Sequence, residues 1–272
     1  METLFRCPTC RGELHRTDRG LACEKNHSFD RARQGYVHLL MSNKMHSKEP
    51  GDTKQMVDSR REFLRSGAYD IFADKLAELT SKYLEGTENP VILDAGCGEG
   101  YYTAKIKEAI PDSHIAGVDI SKFAVKAAAG SYKNMEFAVA SIFDIPVDDD
   151  SCDCLVNVFA PIVEKEFCRV LKKGGYLIIA VPGKRHLYEM KEILYEEPYE
   201  NEEKETPYEG FTQVERVSVR GKIHLDTGEM VWNLFSMTPY YWKTGIGGSE
   251  RLKNTSSLTT EIHFDFIIYK KD

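Results

Sequence analysis

Residues 91–100, Val-Ile-Leu-Asp-Ala-Gly-Cys-Gly-Glu-Gly, constrain this chain more than any other stretch. An apolar run that passes through Asp94 into Gly96, Gly98 and Gly100 reads as a buried strand, a tight turn and a helix starting near Tyr101. Glycine takes positive φ at little cost and lets a ligand lie against bare main chain, while the first N–H groups of the helix point into the same space. The segment therefore predicts a ligand-binding turn in an α/β fold. A pyrophosphate dinucleotide site would read Gly-x-Gly-x-x-Gly, whereas here the glycines fall at every second position behind an acidic residue.

That spacing favours S-adenosylmethionine. The cofactor has no phosphate but carries a cationic sulfonium and an ammonium, which the Asp94 carboxylate favours. Residues 115–120 read as the next apolar strand, with Asp119 at its end, about 20 residues past the turn, where a carboxylate can accept both hydroxyls of an adenosine ribose. The competing reading is a tight strand-to-helix turn with no ligand, and Asp119 weighs against it.

At 272 residues, 42% apolar and 29% charged, the chain suits a globular protein with one large domain and a small appendage. No window approaches the ~18 consecutive apolar residues of a membrane span, and the N-terminal segment lacks an apolar signal, so a cytoplasmic location is expected. Cys7, Cys10 and Cys23 crowd the first 23 residues, whereas Cys97, Cys152, Cys154 and Cys168 fall within the α/β part. In a reducing compartment the first group reads as metal ligands and the second as small buried hydrophobes.

Cys7-x2-Cys10-x12-Cys23-x3-His27 has the ligand count and spacing of a closed tetrahedral zinc site. A stretch of ~40 residues buries too little apolar surface to fold by itself, so the metal supplies folding energy. Residues 1–60 carry 11 Lys+Arg against 8 Asp+Glu, or +3, while the remainder is −10. Arg6, Arg11, Arg16, Arg19, Lys25, Arg31 and Arg33 surround the knuckles, with Phe5, Phe29 and Tyr36 interleaved. Such a mixture suits RNA phosphates and unstacked bases, although solvated charges look similar.

Residues 41–59, with Pro50-Gly51-Asp52, read as a linker, and the helix after it begins near Asp52 or Thr53. Helical apolar spacing then runs from Met56 to Leu84, broken at Gly67-Ala68-Tyr69, which predicts two helices. Three parts follow: a zinc-binding RNA-recognition module over 1–45, a helical connector over 46–84, and a cofactor-binding domain over 85–272. Within the last, strands at 91–94, 115–119, 135–139, 153–158 and 175–181 alternate with helices at 101–109, 121–130 and 163–171, a doubly wound parallel sheet. The strand-like runs 211–219 and 258–269, with a helix around Trp232 to Phe235 between them, predict an antiparallel finish. The Glu- and Pro-rich residues 195–209 read as an exposed loop.

The glycine turn, Asp119 and the strand order resemble class I S-adenosylmethionine-dependent methyltransferases, whose sheet is Rossmann-like. Added to them are Gly35-Tyr36-Val37, Pro50-Gly51-Asp52, Arg60-Arg61-x-Phe63-Leu64, Gly67-x-Tyr69, Gly98-Glu99-Gly100-Tyr101-Tyr102, Ala160-Pro161 and Pro182-Gly183-x-x-His186-Leu187. With the small N-terminal zinc-ribbon-like module, these resemble the 23S ribosomal RNA guanine-N1 methyltransferase family end to end. The resemblance implies methyl transfer to N1 of a loop guanine in domain II of 23S rRNA. It also implies Cys7, Cys10, Cys23 and His27 as zinc ligands, and Tyr69, the turn through Gly98, Glu99, Gly100 and Tyr101, and His186 as cofactor contacts. Gly96 belongs to the same turn, and Ser141 is expected beside Asp119 at the carboxyl edge of the sheet. His186 reads equally as a core histidine.

Residues 157–161, Asn-Val-Phe-Ala-Pro, end the fourth strand, where many amino-directed methyltransferases carry Asn/Asp-Pro-Pro-aromatic against the target base. Asn157 is a candidate to bond a guanine edge and Phe159 to stack on it, but Val158 replaces the first proline and no aromatic follows Pro161. No general base is legible. Competing functions are a small-molecule methyltransferase, which needs no basic zinc module, and a zinc-containing RNA-binding protein without catalysis. The division of parts predicts that Cys10→Ser harms RNA methylation and spares cofactor binding. Oligomeric state is not legible, with a homodimer one reading.

Overall fold

The computed structural model describes residues 3–41, 47, 49–203 and 206–272; the expected boundary at 45/46 lies outside the described residues. Its centre is β5 (Val91–Ala95), a Val-Ile-Leu-Asp-Ala run buried along almost its whole length. Both faces of such a strand must be covered, which is why it reads as continuously apolar rather than alternating. β6 (His114–Asp119) and β7 (Glu136–Val139) extend the sheet to one side, and β8 (Cys152–Val158) and β9 (Leu171–Pro182) to the other, all parallel. The order reverses between β5 and β8, so a crevice opens at their carboxyl ends, the position where open α/β sheets bind ligands.

The helices α3 (Tyr101–Ala109), α4 (Lys122–Ser131) and α5 (Glu164–Val170) connect these strands. The finish is antiparallel as expected, because β11 (Leu258–Lys271) pairs with β9 and with β10 (Phe211–Leu225). α7 (Gly228–Ser236) covers Trp232 to Phe235, capped by the Thr227 hydroxyl on the Met230 N–H. Sequence spacing missed α6 (Tyr188–Leu194), α8 (Tyr240–Lys243) and α9 (Ile246–Lys253), each too short to show a helical period.

α1 (Lys54–Arg65) starts behind the Thr53 cap, whose hydroxyl accepts the Met56 N–H. It ends at Gly67, where φ is +81°, and Tyr69 opens α2 (Asp70–Tyr83). The break expected at residues 67–69 is therefore a turn that aims Tyr69 inward. Pro50-Gly51-Asp52 is no free linker: a Cβ on Gly51 would stand 2.8 Å from Ile120 and 3.0 Å from Ser121, so this turn is pressed onto the end of β6.

The N-terminal part forms a small antiparallel sheet of β1 (His15–Arg16), β2 (Gly20–Ala22) and β3 (Ser28–Asp30). β4 (Val37–His38) then leaves it and pairs parallel with β7 as the edge strand of the large sheet. Phe5 bridges to Val147, and Phe5, Cys7, Leu14, Leu21 and Cys23 share one apolar cluster with Leu93, Ala95 and Val118. Full burial of Phe5 alone contributes roughly 1.5–3 kcal/mol. The zinc module thus shares a core with the cofactor domain instead of standing apart from it.

Three arginines expected to face RNA serve this junction. Arg6 pairs with Asp148 and Glu13, Arg11 with Asp144, and Arg16 with Glu136 at 3.0 Å. Phe5 and Tyr36 are buried, so neither can stack on a base. Arg19, Lys25, Arg31 and Arg33 remain exposed. Among the described residues no helix is long and apolar enough to cross a membrane.

Candidate functional site

Two knuckles build the metal centre. Arg11, at φ 59°, and Asn26, at φ 62°, turn the chain back so that the Cys7 N–H donates to the Gly12 carbonyl and the Cys23 N–H to the His27 carbonyl. The ligand atoms of Cys7, Cys10, Cys23 and His27 then lie within 4.8 Å of one another. Cys23 Sγ is 3.3 Å from His27 Nδ1 and Cys10 Sγ 3.7 Å from Cys23 Sγ. Burial works against ionisation of Cys23, yet backbone hydrogen bonds from His27 and Lys25 and the side chains of Cys10 and His27 bring it down to about 7. Three thiols and one imidazole, half-enclosed and with no further ligand group beside them among the described residues, fit a closed structural zinc site.

The second centre lies at the carboxyl end of β5. Gly96, Gly98 and Gly100 all have positive φ, and a Cβ on Gly96 would stand 2.5 Å from the Ala160 methyl. Only glycine permits this approach of the β8 loop to the turn. Asp94 is buried; its Oδ2 accepts from Thr103 at 2.6 Å, and its Oδ1 has no partner among the described residues. Burial raises its pKa to about 7, offset in part by Thr103 and reinforced by the charges of Asp119 and Glu99. An enclosed carboxylate oxygen lacking a donor, among further carboxylates, fits the cationic methionyl half of S-adenosylmethionine.

Asp119 ends β6 as expected, half-buried, with Oδ2 accepting from the Gly98 N–H at 3.0 Å and Oδ1 from the Ser121 N–H at 2.7 Å. The first of these bonds fixes the glycine turn against the carboxylate at the end of β6. Glu99 is buried and accepts from the Tyr101 N–H at 3.3 Å, while the Tyr101 hydroxyl donates to Asp70 at the head of α2. Ser141 follows β7 on the same edge, and its hydroxyl accepts the Phe143 N–H. The structure therefore gathers Asp94, the turn, Glu99, Asp119 and Ser141 along the sheet's carboxyl edge.

Tyr69 and His186 arrive from distant segments. Tyr69 is buried edge-on against Phe63 at 4.8 Å and Phe264 at 5.0 Å, with its hydroxyl 3.4 Å from His186 Nε2. The His263 N–H donates to His186 Nδ1 at 3.3 Å. Burial, aided by the neighbouring Lys191 and His263, lowers His186 to about 3, so the imidazole is neutral.

At the end of β8 the two candidates part ways. The Asn157 amide nitrogen donates to the Ala95 carbonyl at 3.0 Å and to the Pro161 carbonyl at 3.3 Å, tying the β8 loop to β5. Its donors are thus engaged within the chain, and only the buried Oδ1 is left without a partner. Phe159 has φ 54°, a strained value for an aromatic residue, and is 46% exposed. The ring stacks on Phe72 at 5.4 Å and 22° and tilts against Phe264 at 5.8 Å, and about half of it opens to solvent.

Sequence reasoning missed Thr103, Ser121, Asp52 and Arg60. Ser121 had a local signal, since it caps α4 by accepting the Ala124 N–H. Asp52 and Arg60 stood out only in two separate motifs; their ion pair, at 2.5 Å beside Gly98, depends on how α1 crosses the turn.

The sequence matches the family described as "Methyltransferase domain" over residues 87–232 and the one described as "RlmA, N-terminal", a zinc ribbon, over residues 5–48. It is 38% identical over 192 residues, 70% of this chain and 67% of the relative, to the 23S rRNA (guanine(748)-N(1))-methyltransferase of Streptomyces fradiae. A Micromonospora griseorubida protein named for 23S rRNA (guanine-N(1)-) methylation is 37% identical, covering 70% of this chain and 69% of its own. A Bacillus subtilis (strain 168) protein named for the same reaction is 30% identical over 99% of this chain and 98% of its own. The chain belongs to the 23S rRNA (guanine-N1) methyltransferase family, S-adenosylmethionine-dependent enzymes with an N-terminal zinc ribbon.

Proposed function

We propose that this protein transfers a methyl group from S-adenosylmethionine to N1 of a loop guanine in domain II of cytoplasmic 23S rRNA. The observation that carries the reading is Phe159, a strained and half-exposed aromatic at the mouth of the cofactor crevice, where a base turned out of a loop would stack. The names of the relatives support rRNA guanine as the substrate.

The bound cofactor supplies an electrophilic methyl on a sulfonium. The residues of this chain bind and orient. Asp94 and Asp119 take the cationic and ribose parts, Tyr69, Glu99, Tyr101, Ser141 and His186 line the crevice, and Phe159 presents the base so that N1 meets the methyl in near-attack geometry. The N1–carbon bond forms as the carbon–sulfur bond breaks, the neutral thioether leaves, and the N1 proton passes to water. Residues 1–45 grip the RNA body through Arg19, Lys25, Arg31 and Arg33, residues 46–84 serve as the helical connector, and residues 85–272 carry the chemistry. Through its bonds to Ala95 and Pro161, Asn157 holds the β8 loop that carries Phe159.

Incubation with labelled S-adenosylmethionine and unmodified 23S RNA, followed by primer extension, tests this directly. A single strong stop at a domain II loop guanine is expected, because N1-methylation blocks pairing. Label on a small metabolite with none on RNA would retire the ribosomal reading.

A further inference from the structure

The cofactor carries an α-carboxylate, and the crevice described above is lined by Asp94, Glu99 and Asp119. Three carboxylates repel a fourth, so the methionyl end needs a cation at the turn. Arg60 meets that need: its Nη1 lies 3.7 Å from where a Cβ on Gly98 would stand, over bare backbone. Its charge acts on both Asp119 and Glu99. The side chain is 21% exposed, and Nη1 donates to Asp52 Oδ2 at 2.5 Å, which leaves the other edge of the guanidinium unengaged among the described residues.

Asp52 is itself held. The Ser121 hydroxyl donates to the Asp52 carbonyl at 2.7 Å, and the Ser121 N–H donates to Asp119. The Gly51 turn, at φ +80°, sits against Ile120 and Ser121 with no room for a side chain. The strap 50–52 therefore connects the ribose-side carboxylate to Arg60 through one serine.

We propose that Arg60 receives the α-carboxylate of the cofactor's methionyl half, and that Asp52, docked on Ser121, is the positioning residue that holds the guanidinium over Gly98. A planar guanidinium presents paired N–H groups to a carboxylate, which an ammonium does not. The inference rests on the cofactor crevice and is independent of the RNA assigned as substrate.

Calorimetric titration of the full zinc-loaded chain with S-adenosylmethionine and with decarboxylated S-adenosylmethionine tests it. Wild type should prefer the carboxylated ligand by about tenfold or more, the scale of one charge-assisted hydrogen-bonded pair. Arg60→Met should erase that preference while still binding the decarboxylated ligand, at least as tightly as wild type because a cation has left the crevice, which also reports an intact fold. Asp52→Asn should reduce the preference, and Arg60→Lys should restore only part of it. A preference kept in Arg60→Met, or erased instead by Arg61→Met, would overturn the assignment. Wild type binding both ligands equally would overturn the role of Arg60 alone, and binding neither would overturn the crevice as well.

Discussion

The Tyr69 hydroxyl lies 3.4 Å from His186 Nε2, although 117 positions separate the two residues. The direction of this bond follows from its other end. His186 Nδ1 accepts the His263 N–H, so the neutral ring carries its proton on Nε2 and donates it to the Tyr69 oxygen. Tyr69 therefore keeps its own proton for a ligand.

Tyr69→Phe should weaken cofactor binding by about 3- to 10-fold, the worth of one ordinary hydrogen bond, and lower stability by about 1–3 kcal/mol, because the buried His186 Nε2–H loses its acceptor. The pH dependence follows from His186. Its folded pKa, about 3, is below the unfolded value, so its contribution is present above about 6.5 and is lost as pH falls toward 3. His186→Gln should flatten the acid limb by about 2 kcal/mol between pH 6.5 and 5, read from denaturant unfolding at each pH. An unchanged limb would place His186 outside the titrating core.

Asp94 has the opposite sign. Its folded pKa is raised to about 7 by burial, so in the cofactor-free protein its contribution is present below about 4 and is lost as pH rises through 7. A cationic ligand reverses this by favouring the carboxylate. Cofactor affinity should climb about tenfold per pH unit up to about 7 and then level off, while Asp94→Asn should bind weakly and with no such slope. Calorimetry from pH 5.5 to 8.5 reads both, and a flat wild-type profile would count against Asp94.

Phe159→Ala should lower kcat/KM for RNA by about 10- to 100-fold, the scale of one base-stacking contact. Cofactor affinity should stay within about twofold, since the contacts of the ring among the described residues are with Phe72 and Phe264 and not with the carboxylates. Phe159→Trp should retain most activity. Equal loss of cofactor binding in Phe159→Ala would assign the ring to the cofactor instead of the base.

The shared core changes what metal loss should do. The sequence alone suggested that Cys10→Ser would spare cofactor binding, but Cys7 and Cys23 pack with Phe5 into the cluster that holds Leu93 and Ala95 beneath the glycine turn. Cys10→Ser, or zinc removal by a chelator, should lower a single calorimetric transition by several degrees, at about 2–4 °C per kcal/mol for a chain of this size. Two transitions, with the cofactor-responsive one unmoved, would restore the picture of independent modules.

How much could be read without coordinates differed by element. The central strands were legible because strands buried on both faces are continuously apolar, and β5 and β6 begin within a residue of their expected positions. α6, α8 and α9 were not, since 7, 4 and 8 residues span about two turns at most and carry no stable period. Arg6, Arg11 and Arg16 read as an RNA-facing set because composition records charge but not partners; the fold places Asp148, Asp144 and Glu136 opposite them.

The sequence by itself determined two local patterns that the fold preserves: the Cys7, Cys10, Cys23 and His27 cluster, and the glycine turn between Asp94 and Tyr101 with Asp119 one strand later. Both are local, because metal knuckles and strand-to-helix turns are set by residues a few positions apart. Tertiary structure decided the remainder. It joined Tyr69 to His186, brought Arg60 over Gly98 with Asp52 beside it, gave Phe159 its left-handed backbone, and fused the zinc module to the sheet through β4. Each of these depends on contacts between segments far apart in the chain, and local spacing and periodicity carry no record of such contacts.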